Sequence, residues 1–148
     1  MINMYLLNPI KPSTIPKLHT NTLDILFKHK NEIYRQLSDL RGLYFIDHVA
    51  ITLINPENEM VILSISPSVE FNLIFKGLWE DDRSFNPHYY TEGNILFWEM
   101  AYSNGYQNII RHTKETEHGF SLGFNVIRKS EQFNLIYSFA TRQLKENL

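Results

Sequence analysis

Six histidines, at positions 19, 29, 48, 88, 112 and 118, are the first residues of this chain that could do chemistry. Imidazole binds metals and moves protons near neutral pH. None of the six forms a His-x-x-x-His or His-Glu-x-x-His arrangement on a helix, so their spacing supports no metal site. His118 directly precedes Gly119 and a strand, which suits it to capping that turn or closing one end of a pocket. Glu80, Asp81 and Asp82 are adjacent carboxylates, but an acidic run in a loop is expected to face water, and no second acidic cluster reinforces it. Phosphate-cradling glycine loops and a nucleophile elbow are missing; Gly119-Phe120-Ser121-Leu122-Gly123 imitates the elbow inside an alternating strand. The chain has no cysteine, so a thiolate nucleophile and a disulfide framework are both excluded. The expectation is a protein that is not an enzyme and carries no metal and no cofactor.

Rings are the stronger signal. Tyr89, Tyr90, Phe97, Trp98, Tyr102 and Tyr106 fall close together in a Pro-broken stretch that runs into two alternating segments. Large rings with polar tips suit the wall of an apolar pocket, because a buried Tyr hydroxyl or Trp N–H needs a partner that a polar-headed ligand can supply. The other large rings, Phe45, Phe71, Phe133 and Phe139, are assigned to the core.

The elements that must position these residues follow from periodicity. After a Pro-rich lead over residues 1–19, Thr20 or Asn21 caps a helix with apolar positions at Leu23, Leu26, Phe27, Ile33, Tyr34, Leu37 and Leu40, ended by Gly42. Residues 44–54 and 60–66, joined by Asn55-Pro56-Glu57-Asn58, read as a β-hairpin. Ser66-Pro67 starts a short helix ending near Gly77, and residues 80–94 form an ordered loop with a turn at Gly93-Asn94. A helix is expected from Trp98 or Ser103 to Lys114, then strands over 120–128 and 133–141 and a helical tail. Residues 20–148 thus form one domain. Its predicted class is α+β: an antiparallel sheet flanked by helices, a PAS- or GAF-like α-β-α sandwich.

Composition sets the outer bounds. A chain of 148 residues can bury roughly 68 to 70% of its unfolded surface. A net charge of -2 gives no basic excess for gripping nucleic acid. No run of about 18 apolar residues occurs, so no membrane contact is expected, and cytoplasm is the default location.

The pattern resembles the N-terminal sensory domain of LuxR-type transcription regulators, the autoinducer-binding domain. The resemblance rests on Asn86-Pro87-His88-Tyr89-Tyr90, on Phe97-Trp98, on His118-Gly119-Phe120-Ser121, and on the closing stretch Ile136 to Thr141. It implies a small apolar or amphipathic ligand, quorum-type signal sensing, and a homodimer or a heterodimer with related regulators. Ligand-lining roles then fall to Trp79, Asn86, Tyr89, Tyr90, Trp98 and His118, with the rings supplying buried area and Asn86 orientation. Asn86 stands where the family carries an acid, so the charge-assisted bond to an acyl-lactone amide is lost. Family members also continue into a helix-turn-helix domain, for which Arg142 to Leu148 is too short, so no direct nucleic-acid contact is expected of this chain. The alternative is a ligand-free interaction module that regulates full-length relatives by heterodimerisation.

Overall fold

A computed structural model describes residues 10–41, 43–90 and 94–143. Six strands form one sheet in the order β1-β3-β2-β6-β5-β4. They are β1 (Lys17–Leu18), β2 (His48–Ile54), β3 (Glu59–Ser64), β4 (Ile95–Phe97), β5 (Leu122–Lys129) and β6 (Asn134–Thr141). Only β1 and β3 pair in parallel; the other neighbours are antiparallel, as the two predicted hairpins require. With its flanking helices the chain is the expected α+β sandwich.

Local chemistry explains where the elements depart from expectation. The first predicted helix is two, α1 (Thr22–Lys28) and α2 (Lys30–Leu37), because His29 sits at φ -102 and ψ 14, outside helical geometry. The turn lets α1 bury Thr22 and Leu26 while α2 buries nothing fully. The expected stop at Gly42 lies outside the described residues. β2 begins at His48 rather than 44, since Tyr44 and Phe45 have φ of 51 and 68, which no strand accommodates. In the hairpin turn the Asn55 side chain accepts the Glu59 N–H at 2.8 Å. α3 (Pro67–Phe75) has Pro at its first turn, and Gly77, at φ 68, reverses the chain after it. The loop over 80–90 is a succession of 3₁₀ turns, Trp79–Asp81, Arg83–Phe85 and Pro87–Tyr89; Gly93 of the expected turn is outside the described residues. The helix expected to reach Lys114 is three pieces: α4 (Trp98–Ala101), α5 (Gln107–Arg111) and a π-helical turn over His112–Thr116. Strands β1 and β4, which end the sheet, were not legible in the sequence, and most of the expected helical tail lies outside the described residues.

Register decides which face is the floor of the core. One face carries His48, Ala140 and Gly123 in one row, and Ser64, Ala50, Ser138, Asn125 and Leu96 in the next. Ile62, Thr52, Ile136 and Ile127 make the third row. These are buried, and the helices and 3₁₀ turns supply Leu26, Val69, Leu73, Leu78, Phe85, Trp98 and Tyr102 above them. The floor is therefore small and polar at one end and aliphatic at the other. On the opposite face Phe97, Phe124, Phe139 and Val49 form one row and Ile95, Val126, Tyr137, Ile51 and Leu63 the next. The core assignment of Phe45, Phe133 and Phe139 is thereby corrected. Phe45 and Phe133 are exposed, Phe139 packs 5.4 Å from Phe124 on the half-buried outer face, and Phe71 is half-buried against Leu26's cluster.

Candidate functional site

At the small and polar end of the floor α4 and the π turn close over a filled chamber of packed rings and polar groups. Gly123 has no side chain, and the Trp98 indole lies directly upon it: a Cβ built there would stand 2.1 Å from the indole Cδ2. Trp98 Nε1 donates to Asn125 Oδ1 at 2.7 Å, so the next floor residue of β5 fixes the ring. Asn125 Nδ2 and the Tyr90 hydroxyl both donate to the Ser84 carbonyl, at 3.4 and 2.6 Å. Lys114 enters from the π turn. Its ammonium donates to Asp82 Oδ2 at 2.6 Å and to Ser84 Oγ at 3.4 Å, and it lies 4.3, 5.4 and 5.5 Å from the ring centres of Trp98, Phe85 and Tyr102.

The expectation that the acidic run faces water fails at Asp82, which is 1% exposed. It fails because Asp82 caps the Arg83–Phe85 turn, accepting the Ser84 N–H at 2.9 Å, and because Lys114 neutralises it. Asp81, half-buried beside it, has its carboxyl pushed up by burial. Tyr102 donates to Glu115 Oε2 at 2.8 Å; burial foremost, then the Asp82 and Glu115 charges, keep this phenol protonated. Burial likewise raises Tyr90 well above the ordinary phenol. Both hydroxyls act as fixed donors.

A second region lies under the Pro-rich lead. A cleft of ≈ 380 Å³ is lined by Pro12, Ile15, Pro16, Leu18 and Trp79, with Lys17 and Glu80. A neighbouring cleft of ≈ 360 Å³ shares Pro12, Ile15 and Glu80 and adds Asp81 and Ser103. Besides the β1–β3 pairing, two side-chain bonds fasten the lead to the loop over 80–90. The Tyr89 hydroxyl accepts the Lys11 N–H at 3.1 Å, and Asn86 Nδ2 donates to Thr14 Oγ1 at 2.9 Å while its Oδ1 caps the next turn by accepting the His88 N–H at 3.1 Å. Tyr89→Phe and Asn86→Ala each remove one fastening and should cost about 0.5–1.5 kcal/mol. Amide exchange over residues 11–18 should accelerate in both variants while that of β2 and β6 stays unchanged; unaltered lead protection would show that these bonds do not hold it.

The six residues singled out from the sequence thus fall into three places. Tyr90 and Trp98 meet in the inner chamber. Trp79 lines the lead cleft, and Asn86 and Tyr89 fasten its wall. His118 stands apart, stacked 6.1 Å from Phe120 near the start of β5. Sequence reasoning missed Asp82, Ser84, Phe85, Lys114 and Asn125. One signal was present: Gly123 and Asn125 alternate with Leu122 and Phe124, marking one face of β5 as small and polar.

No family model and no curated protein matches the sequence. Solved structures do match by shape. One of Escherichia coli SdiA superposes with a TM-score of 0.60 at 15% identity, over 77% of this chain and 49% of that one. The chain shares its fold with SdiA. A structure of SdiA in complex with octanoyl-rac-glycerol gives a TM-score of 0.54, again at 15% identity, over 78% of this chain and 47% of that one. The chain spans about half the length of both SdiA chains. Among the described residues no helix is long and apolar enough to cross a membrane.

Proposed function

We propose that this chain is a small-molecule sensing domain of the LuxR autoinducer-binding kind, taking an amphipathic ligand whose apolar part lies against Trp79 in the lead cleft. The observation that carries this reading is the cleft itself: ≈ 380 Å³ of largely apolar wall, within the size range of small-ligand sites, on a fold shared with SdiA. That an SdiA structure holds octanoyl-rac-glycerol supports the ligand class. Trp79, Tyr89 and Asn86 are then the working residues of the outer site, while Tyr90 and Trp98 hold the chamber behind it. Binding favours one assembly state, a homodimer or a heterodimer with related regulators, through preferential affinity.

Octanoyl-rac-glycerol is the probe. Near tenfold excess over its dissociation constant it should raise the melting temperature by roughly 3–4 °C and perturb indole emission; Trp79→Ala should abolish both. No shift at any soluble concentration, in a wild-type chain that melts cooperatively, would falsify ligand sensing in this cleft.

A second reading is a ligand-free interaction module. It is favoured by the inner chamber, whose polar groups satisfy one another without a guest, and by the apolar outer rows of the sheet. Light scattering on the same samples separates the two. A mass that doubles, or a heterodimer formed with a related regulator, in the absence of ligand supports the module.

A further inference from the structure

Three buried polar atoms without a hydrogen-bond partner belong to His48 and His118, whose rings lie beside Phe120, and to Glu70, which pairs with His48. They are His48 Nδ1, Glu70 Oε2 and His118 Nε2. The His48 ring centre is 5.4 Å from that of Phe120 and 6.2 Å from that of Trp98, and the His118 ring stacks on Phe120 from the loop before β5. Glu70, in the first turn of α3, reaches His48 Nε2 with Oε1 at 3.0 Å. His48 and Glu70 are 0% and 3% exposed. Buried polar atoms are rarely left unpaired, because each one has given up its hydration with nothing in exchange. A concentration of three in one place is a property of the site.

The chemistry of the missing partner follows from the bond that is made. His48 Nε2 and Glu70 Oε1 occupy each other, and in the tautomer that carries its proton on Nε2 the His48 Nδ1 is an acceptor with nothing to receive. Glu70 Oε2 is likewise an acceptor. In that tautomer two buried acceptors lie open side by side on one His–Glu pair, which suits a group that donates twice, and His118 adds a third position. Burial foremost lowers the His118 pKa, so its ring is neutral near pH 7 and its Nε2 can complete the set as donor or acceptor. Arg142, the nearby cation, is engaged elsewhere: its Nε donates to the His118 carbonyl at 2.9 Å and its guanidinium covers the outer side of Phe120 at 4.6 Å. Among the described residues no three His, Cys, Asp or Glu side chains are placed to hold a metal ion.

We propose that His48, Glu70 and His118 form a binding site for one small group that donates two hydrogen bonds, roofed by Phe120 and Trp98. Water has this chemistry, and buried waters typically make about three bonds to otherwise unsatisfied groups. A primary amide, primary amine or diol head on a co-purified small molecule has it too. The site does not depend on whether the lead cleft takes a ligand, so its test and that of the sensing reading fail separately.

The experiment uses the full chain with ¹⁵N-labelled histidine. His48 should show a protonated Nε2 and an Nδ1 shifted as a hydrogen-bond acceptor. Cross-relaxation from long-lived water to the His48 and Phe120 ring protons identifies water as the guest. A compound with a donating head in the solvent extract of the purified protein, with contacts to the same protons, identifies a ligand. Glu70→Gln, shown to be folded by its amide spectrum, should shorten the guest's residence roughly tenfold, the worth of one such bond; if it does not fold, His118→Phe is read instead. A proton on His48 Nδ1, or neither water nor any organic guest at these rings, overturns the proposal.

Discussion

Replacing Gly123 with valine is expected to lower stability by about 4 kcal/mol, the largest effect of any single change at a floor position. Over-packing a full core costs about 1–3 kcal/mol when neighbours can shift. Here the neighbour is a 1%-exposed indole, and the added Cβ alone would fall 2.1 to 2.5 Å from three of its atoms. Trp98 cannot lift without losing its bond to Asn125 and its place over Lys114, which adds about 1 kcal/mol or more. For a domain of this size the melting temperature should fall by roughly 10–15 °C. Gly123→Val with Trp98→Ala should cost clearly less than the sum of the two single changes, since the smaller residue vacates the contact. A Gly123→Val chain that melts within a few degrees of wild type would show that the indole does not rest on this glycine.

Lys114→Met is expected to cost about 3–5 kcal/mol, because it leaves the Asp82 carboxylate buried and without its counter-ion. Asp82→Asn strands the ammonium instead, with the three rings as partial compensation, and should cost less. The double variant should cost clearly less than the sum, with a coupling of about 1–3 kcal/mol, since removing both charges leaves no orphan. The side chains are 3% and 0% exposed, so the coupling should survive 1 M salt, whereas any contribution from the exposed His29–Glu32 contact should vanish. Urea melts of the four variants at two salt concentrations supply every term. Additive costs would refute a coupled pair.

The class of the fold was legible because it depends on features that sequence carries directly. Alternation over 120–128 and 133–141, Asn55 to Asn58 at a turn, and Pro67 opening a helix are local signals, and antiparallel pairing follows from two short connections. What was misread depends on which face of a strand is covered. Phe133 and Phe139 look like core residues because they are large and apolar, yet the buried side of β5 and β6 carries Gly123, Asn125, Ser138 and Ala140. A floor of small residues is buried by long side chains from elsewhere, Trp98 and Lys114 among them, and that complementarity is non-local. The same reason hid Asp82. Nothing in Glu80-Asp81-Asp82 announces a lysine 32 residues later as its partner. Trp98 and Tyr90 were recognisable as rings needing polar company, but the sequence could not reveal that Asn125 and the Ser84 carbonyl supply it.

The strands that end the sheet carry a consequence for how this protein behaves in a crowded solution. An open row of backbone donors and acceptors is a template on which another chain can grow, and long, flat, apolar borders nucleate fibrils. Here one border is the two-residue β1, held by the parallel pairing of Lys17 and Leu18, with the Thr22 hydroxyl of α1 taking the Met60 carbonyl just past it. The other is the three-residue β4. The four longer strands are thus bracketed by two stubs, and very short end strands are one of the devices by which a sheet blunts the borders on which another chain could pair.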